Sequence, residues 1–282
     1  MSRSTRVVSP PVEALRLVEQ WPVGAAAAGA VRTDPDALVH LESFGPRERS
    51  FSWASVTKLL TSLAVLVAVE EGTVDLDEPA GPEGSTLRHL LAHASGLALD
   101  AEAPIARVGT RRIYSNTGIE RAAELVAEHA SMPFAEYLAG AVLDPVGLSG
   151  SLRSSPAWGY EGPLDDLLAL GRELLAPTLI APETLAEATE VQFPGLAGVL
   201  PSFGRQEPND WGLGFELRDA KSPHWTGACN SPRTFGHFGA SGTFLWVDPE
   251  ARLALACLTD REFGDWARTA WPELSDAVLG ES

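Results

Sequence analysis

The chain has 282 residues, 45% of them hydrophobic, and a formal net charge of −17. That length supports one large domain or two intertwined ones with a sizeable core. The acidic balance argues against a nucleic-acid partner, because no basic run longer than Arg111-Arg112 is available to neutralise phosphates.

In chain order, MSRSTRVVSPPVEALRLVEQ breaks into prolines and charges and lacks the pattern of a secretory leader, so a cytoplasmic location is expected. VEALRLVEQW, after Pro10-Pro11, predicts an amphipathic helix. AAAAGAVR and ALVHLESFG predict two strands joined by the polar turn Arg32-Thr33-Asp34-Pro35-Asp36. From Ser55 to the Glu70-Glu71-Gly72 stop the pattern is apolar nearly all round, which predicts a helix buried on most sides. Its longest apolar run, Leu63 to Val69, is far short of the roughly 20 residues that span a bilayer, and no membrane partner is expected.

TLRHLLAHASG, GIERAAELVAEHA, FAEYLAGAVLDPVG, LDDLLALGRELLA and PETLAEATE then follow at helical spacing, separated by Gly, Pro and Ser. WGLGFELRD, RTFGHFGASGTFLWVDPE and RLALACLTDR predict three consecutive strands, closed by a helix over DWARTAWPELSDAVLG. Strands at both ends and helices between them give an α+β class: an antiparallel sheet flanked by helices. Residues 1–74 and 206–282 are expected to build the sheet domain and residues 75–205 an inserted helical domain, with a small-molecule cleft at their junction.

Nineteen of the 21 basic residues are arginine, leaving lysine at Lys58 and Lys221 alone. Lys58 follows Ser55 by three positions at the start of the apolar helix, so both side chains lie on one face. A lysine desolvated there has its pKa pushed down, and a partly neutral amine beside a hydroxyl can take its proton. The bland alternative for a bare S-x-x-K is an N-cap serine with a snorkelling lysine. Tyr114-Ser115-Asn116 and His237-Phe238-Gly239, in that order around the helical stretch, shift the balance toward chemistry.

Cys229 and Cys257 lie in no metal-binding spacing and are expected to be free thiols. The HExxH, phosphate-loop, GxSxG and GxGxxG motifs are missing from the sequence, so no cofactor or metal is expected. His89 and His93 are expected to pack and cap.

With these three motifs, VDLDEPA, TLRHLLAHASGL and WGLGF, the stretch from Val23 to Asp260 resembles the serine β-lactamase and penicillin-binding-protein superfamily. Within it the chain is most similar to class C β-lactamase-like esterases and D-aminopeptidases. The resemblance implies that fold with a shortened helical domain, since only 96 residues separate Tyr114 from Trp211. It implies Ser55 as the acylated nucleophile, Lys58 as its proton-accepting neighbour and Tyr114 as the base that activates serine and later water. It further implies Asn116 and His237 as substrate-facing residues, Gly239 as room beside the strand, and the backbone N–H groups of Ser55 and Ala240 as the oxyanion hole.

His237 stands where many relatives carry lysine, and Phe238 where they carry threonine. Loss of those donors disfavours a carboxylate-bearing substrate. The implied function is a serine hydrolase acting on a small ester or amide. β-Lactam or D-Ala-D-Ala hydrolysis is the alternative, a catalytically silent binding protein the further one, and the oligomeric state stays open.

Overall fold

The computed structural model describes residues 13–33 and 39–280; the turn expected at Arg32 to Asp36 lies largely outside the described residues. The main sheet has six antiparallel strands, β1 (Ala26–Thr33), β2 (Val39–Phe44), β3 (Glu216–Leu217), β4 (Phe235–Gly239), β5 (Thr243–Asp248) and β6 (Leu253–Thr259), in the order β2-β1-β6-β5-β4-β3. The two chain ends meet inside the sheet, where β1 pairs with β6 and Gly29 lies opposite Ala256.

Strand alternation sends Ala27, Val31, Leu245, Val247, Ala254 and Ala256 to one face and Ala28, Ala30, Phe244, Trp246, Leu253 and Leu255 to the other. Each face is buried in its own cluster. Coverage of both faces is the reason β5 and β6 read as unbroken apolar runs.

The first face packs against α1 (Thr57–Glu70), whose residues from Thr57 through Ala68 are all buried. Beyond α1 lie α2 (Leu87–Leu91) and α3 (Asn116–Ala130). The same face also carries α4 (Leu164–Leu175), a helix from the middle of the chain that lies directly on β1, β5 and β6. Small residues permit that approach: a Cβ at Gly29 would come within 2.9 Å of Leu168. The second face is covered by Ala14–Gln20 and by α5 (Asp265–Gly280), with Trp246 donating to Ser275 Oγ at 3.0 Å.

Four elements differ from the sequence reading. Ala14–Gln20 is a 3₁₀ rather than an α-helix; it buries Leu15 and Val18, three positions apart, which suits three residues per turn. RTFGHFGASGTFLWVDPE is two strands, because Gly242 at φ +81° closes a turn by donating its N–H to Gly239 O. Only Glu216–Leu217 of WGLGFELRD is a strand, since Gly214 at φ +80° packs against Ser62, leaving no space for a Cβ. The helix expected from Thr86 stops at Leu91, and His93 at φ +55° turns the chain back toward the sheet.

Candidate active site

The nucleophile candidate sits on a strained turn. Ser55 lies in the 3₁₀ turn Ala54–Val56 that leads into α1, and Ala54 adopts φ +45°, a region that non-glycine residues rarely occupy. The turn is held from both sides. Trp53 N–H donates to Tyr160 O at 3.0 Å, and Trp53 O accepts from Thr243 Oγ1 at 3.0 Å. β4 can lie against it only because residue 239 is glycine: a Cβ there would come within 2.3 Å of Trp53 O and 3.1 Å of Ala54 Cβ. The missing side chain of Gly239 thus serves the nucleophile turn itself.

One turn on from Ser55, Lys58 is completely buried, and its three ammonium hydrogens have three acceptors. They are Ser55 Oγ at 3.1 Å, Asn116 Oδ1 at 2.7 Å and Ala157 O at 2.9 Å. Burial pushes the Lys58 pKa down to about 7, although Glu120 and Asp100 oppose the shift. Its nitrogen also lies 4.8 Å from the centre of the Tyr114 ring.

Tyr114 and Asn116 are aimed by the residue between them. Ser115 is the N-cap of α3: its Oγ accepts from Gly118 N–H at 3.0 Å and donates to Ala98 O at 2.6 Å. Tyr114 is therefore left on the extended chain before the helix, while Asn116 occupies its first position. Asn116 Nδ2 donates to Asp100 Oδ1 at 2.7 Å, which fixes the amide so that its oxygen faces Lys58. Just upstream, Arg112 is buried and donates to the carbonyls of Ala92, Gln192 and Asn209, tying this segment to two neighbouring loops.

His237 faces Tyr114 from β4. Its Nδ1 is 2.7 Å from Phe238 O and carries the proton, so Nε2 is an acceptor, 3.3 Å from the Tyr114 hydroxyl. Burial, followed by the charge of Lys58, lowers the His237 pKa to about 3, and the ring is neutral. Burial raises the Tyr114 pKa, against the pull of its hydrogen bond to Ser55. His93 completes the aromatic floor, with its ring 4.8 Å from Tyr114 and 4.7 Å from Trp211, and its Nδ1 accepts from Ser115 N–H at 3.2 Å. His89 caps α2 through Thr86 Oγ1 at 2.9 Å.

These groups open on a cavity of about 320 Å³ whose lining includes Ser55, Tyr114, Asn116, Trp211, His237 and Ala240. Lys58 reaches Ser55 from beneath, and Gly239 supports the wall. Sequence reasoning did not single out Asp100, Ala157 O or the pocket residues Leu200, Phe263 and Glu262. They act through backbone carbonyls, loop positions or the fold of distant segments, none of which leaves a local pattern.

A family model described as Beta-lactamase matches residues 46–279. Among solved structures, a beta-lactamase from Mycobacterium bovis is 53% identical, with 95% of this chain and 98% of that one covered at a TM-score of 0.92. Simvastatin synthase (LovD) from Aspergillus terreus, as its LovD6 mutant, shares the fold at 18% identity, with coverage of 95% and 93% and a TM-score of 0.74. EstCE1, a hydrolase with promiscuous acyltransferase activity, does so at 17% identity, coverage of 94% and 96%, and a TM-score of 0.74. No curated protein matches the chain.

Proposed function

This chain belongs to the beta-lactamase family, and from that premise we propose that it is a serine hydrolase that passes a small neutral ester or amide through an acyl-enzyme on Ser55. The observation that carries the reading is the environment of Lys58: three acceptors for three hydrogens, with a pKa lowered to about 7. When the amine loses a proton, Asn116 Oδ1 and Ala157 O keep two N–H groups, and the lone pair is left facing Ser55 Oγ. Lys58 then takes the serine proton as Oγ attacks the carbonyl carbon, with the backbone N–H groups of Ser55 and Ala240 holding the oxyanion. Loss of one such donor typically costs about 2.7 to 4 kcal/mol.

Tyr114 fits a neutral relay in this scheme better than a standing phenolate. Its pKa is raised by burial, and the neighbouring His237 is uncharged and accepts rather than donates. The phenol can pass a proton to the leaving group by giving up its own hydrogen, which rests against His237 Nε2, as it takes the one that left Ser55 or water. Asn116 orients Lys58 and offers its remaining N–H to substrate.

The substrate reading follows from the lining of the cavity. Leu99, Leu200, Phe238 and Phe263 are apolar, and among the described lining residues none is a lysine or arginine. An acyl or alkoxy group of modest size suits those walls. The second reading, β-lactam hydrolysis, has in its favour the description of the 53% identical M. bovis structure as a beta-lactamase.

Labelling with a fluorophosphonate probe, followed by mass spectrometry of the modified peptide, tests the assignment. Modification at Ser55 is the expected result. Labelling elsewhere, or none in a protein that still hydrolyses p-nitrophenyl butyrate, would sink it.

A further inference from the structure

The geometry points to an ammonium subsite in this cavity, formed by the Glu262 carboxylate and the aromatic wall of Phe238 and Phe263, which makes an ester carrying a quaternary or protonated amine the preferred substrate class. The inference rests on the serine-hydrolase reading above and moves its preferred substrate from a neutral ester to a cationic one.

Glu262, an exposed residue, is the one acidic residue among the described residues lining the cavity that Ser55 and Ala240 also line. Its position is fixed by backbone on both sides. Phe263 N–H donates to Ala240 O at 2.8 Å, and Glu262 O accepts from Trp266 Nε1 at 2.9 Å, so Glu262 sits on a pinned segment beside the proposed oxyanion donor. Among the described residues no cation pairs with that carboxylate. The neighbouring Arg261 donates to Pro22 O, and Arg268 lies 3.7 Å from Asp265 with its guanidinium 5.9 Å from the Phe203 ring.

Beside Glu262 the aromatic rings are packed in fixed orientations. Phe263 lies 5.4 Å from Phe238, 5.7 Å from Phe203 and 5.0 Å from Trp271, and Phe203 lies 5.8 Å from Phe238. Rigid aromatic faces next to an unpaired carboxylate are the combination that holds ammonium groups, by ring quadrupole and by charge. Two further carboxylates act close to the nucleophile. Asp100 and Glu120 both act on Lys58, the only lysine at the site, and its lowered pKa leaves it partly neutral. A carboxylate ligand meets repulsion where an ammonium ligand meets attraction.

For a choline ester, the acyl C–O bond breaks as the Ser55 Oγ–acyl bond forms, and the choline oxygen leaves with the proton that Lys58 took from serine. Water then cleaves the acyl-enzyme to the free acid.

Two isosteric pairs test the subsite: acetylcholine against 3,3-dimethylbutyl acetate, and betaine ethyl ester against ethyl 3,3-dimethylbutanoate. In at least one pair, the ratio of kcat/KM for the charged ester to that for the uncharged one should be about fivefold or more at low ionic strength. It should shrink in 0.5 M salt. Glu262→Gln should bring that ratio close to its high-salt value, and Glu262→Asp should retain most of it. If Glu262→Gln left both ratios unchanged while all four esters were still hydrolysed, the subsite would be overturned and the hydrolase reading would stand. If none of the four were turned over and Ser55 resisted the fluorophosphonate, both readings would fall together.

Discussion

The Tyr114 hydroxyl lies 3.3 Å from Nε2 of His237, a ring whose other nitrogen is committed to Phe238 O. The phenol proton consequently has a fixed acceptor, and the phenol oxygen has lone pairs left for Ser55. Tyr114→Phe keeps the ring and its contacts with His93 and Trp211 while deleting the relay. Thermal stability should change little, and the rate of acylation should fall about 10² to 10⁴-fold, the usual worth of general acid–base assistance. A change under twofold in single-turnover acylation and deacylation would reduce Tyr114 to scaffolding.

Ser55→Ala removes one hydroxyl from a turn whose backbone is held elsewhere, so the fold should persist and ester turnover should vanish. Lys58→Arg should be nearly as inactive, since guanidinium stays protonated at any usable pH and cannot accept the serine proton. Wild-type rates in the arginine variant would remove lysine from the mechanism.

The depressed pKa of Lys58, about 7 from an ordinary 10.5, gives two pH signatures. Activity should climb through an acid limb centred near pH 7 as the amine becomes neutral, with no further limb from His237 until about pH 3. Stability should move the same way. Between pH 7 and 10.5 the unfolded chain binds a proton at this site that the folded chain does not, so unfolding free energy rises with pH, by at most about 1.4 kcal/mol per unit from this group. Urea titrations of Lys58→Met should show that slope removed; an unchanged slope would show that the buried amine keeps its proton.

A neutral short-chain ester should exceed nitrocefin or a D-Ala-D-Ala peptide in kcat/KM by at least about tenfold, or about 1.4 kcal/mol. His237→Lys should narrow the ratio by supplying a carboxylate partner. Adding Phe238→Thr is a poorer test, because Phe238 packs against Phe263, Trp225 and Trp271 and its truncation should cost about 3 kcal/mol. Nitrocefin turnover matching the best ester would restore the β-lactamase reading.

Lys221, the second lysine, is buried on Glu216, whose other oxygen meets His224 at 2.9 Å and Trp225 Nε1 at 3.0 Å. Burial alone would raise the Glu216 pKa, yet Lys221 and His224 outweigh it and hold the carboxyl at about 2. Glu216→Gln should destabilise the fold by about 3 to 5 kcal/mol, since it strands a buried cation. A shift under 1 kcal/mol in urea unfolding would count against that account.

The sequence by itself determined the elements whose information is local. The all-round apolar run after Ser55 made α1 a buried helix, and short apolar stretches bounded by turn residues marked the strands at both ends. S-x-x-K set Ser55 and Lys58 one helical turn apart, because that distance depends only on helix geometry. The sequence also marked both lysines as scarce and made Lys58 a base candidate through S-x-x-K, yet assigned Lys221 no role. Their roles rest on what surrounds each: Asn116, Ala157 O and Ser55 for Lys58, and Glu216 for Lys221. Only the tertiary structure decided the tautomer of His237, the packing of Gly239 against the nucleophile turn, the placement of α4 on the sheet and the entry of Glu262 into the cavity. Each depends on segments brought together from far apart in the chain, as when Trp53 accepts from Thr243 across 190 positions. Burial then alters their acidity in ways that no short stretch of residues encodes.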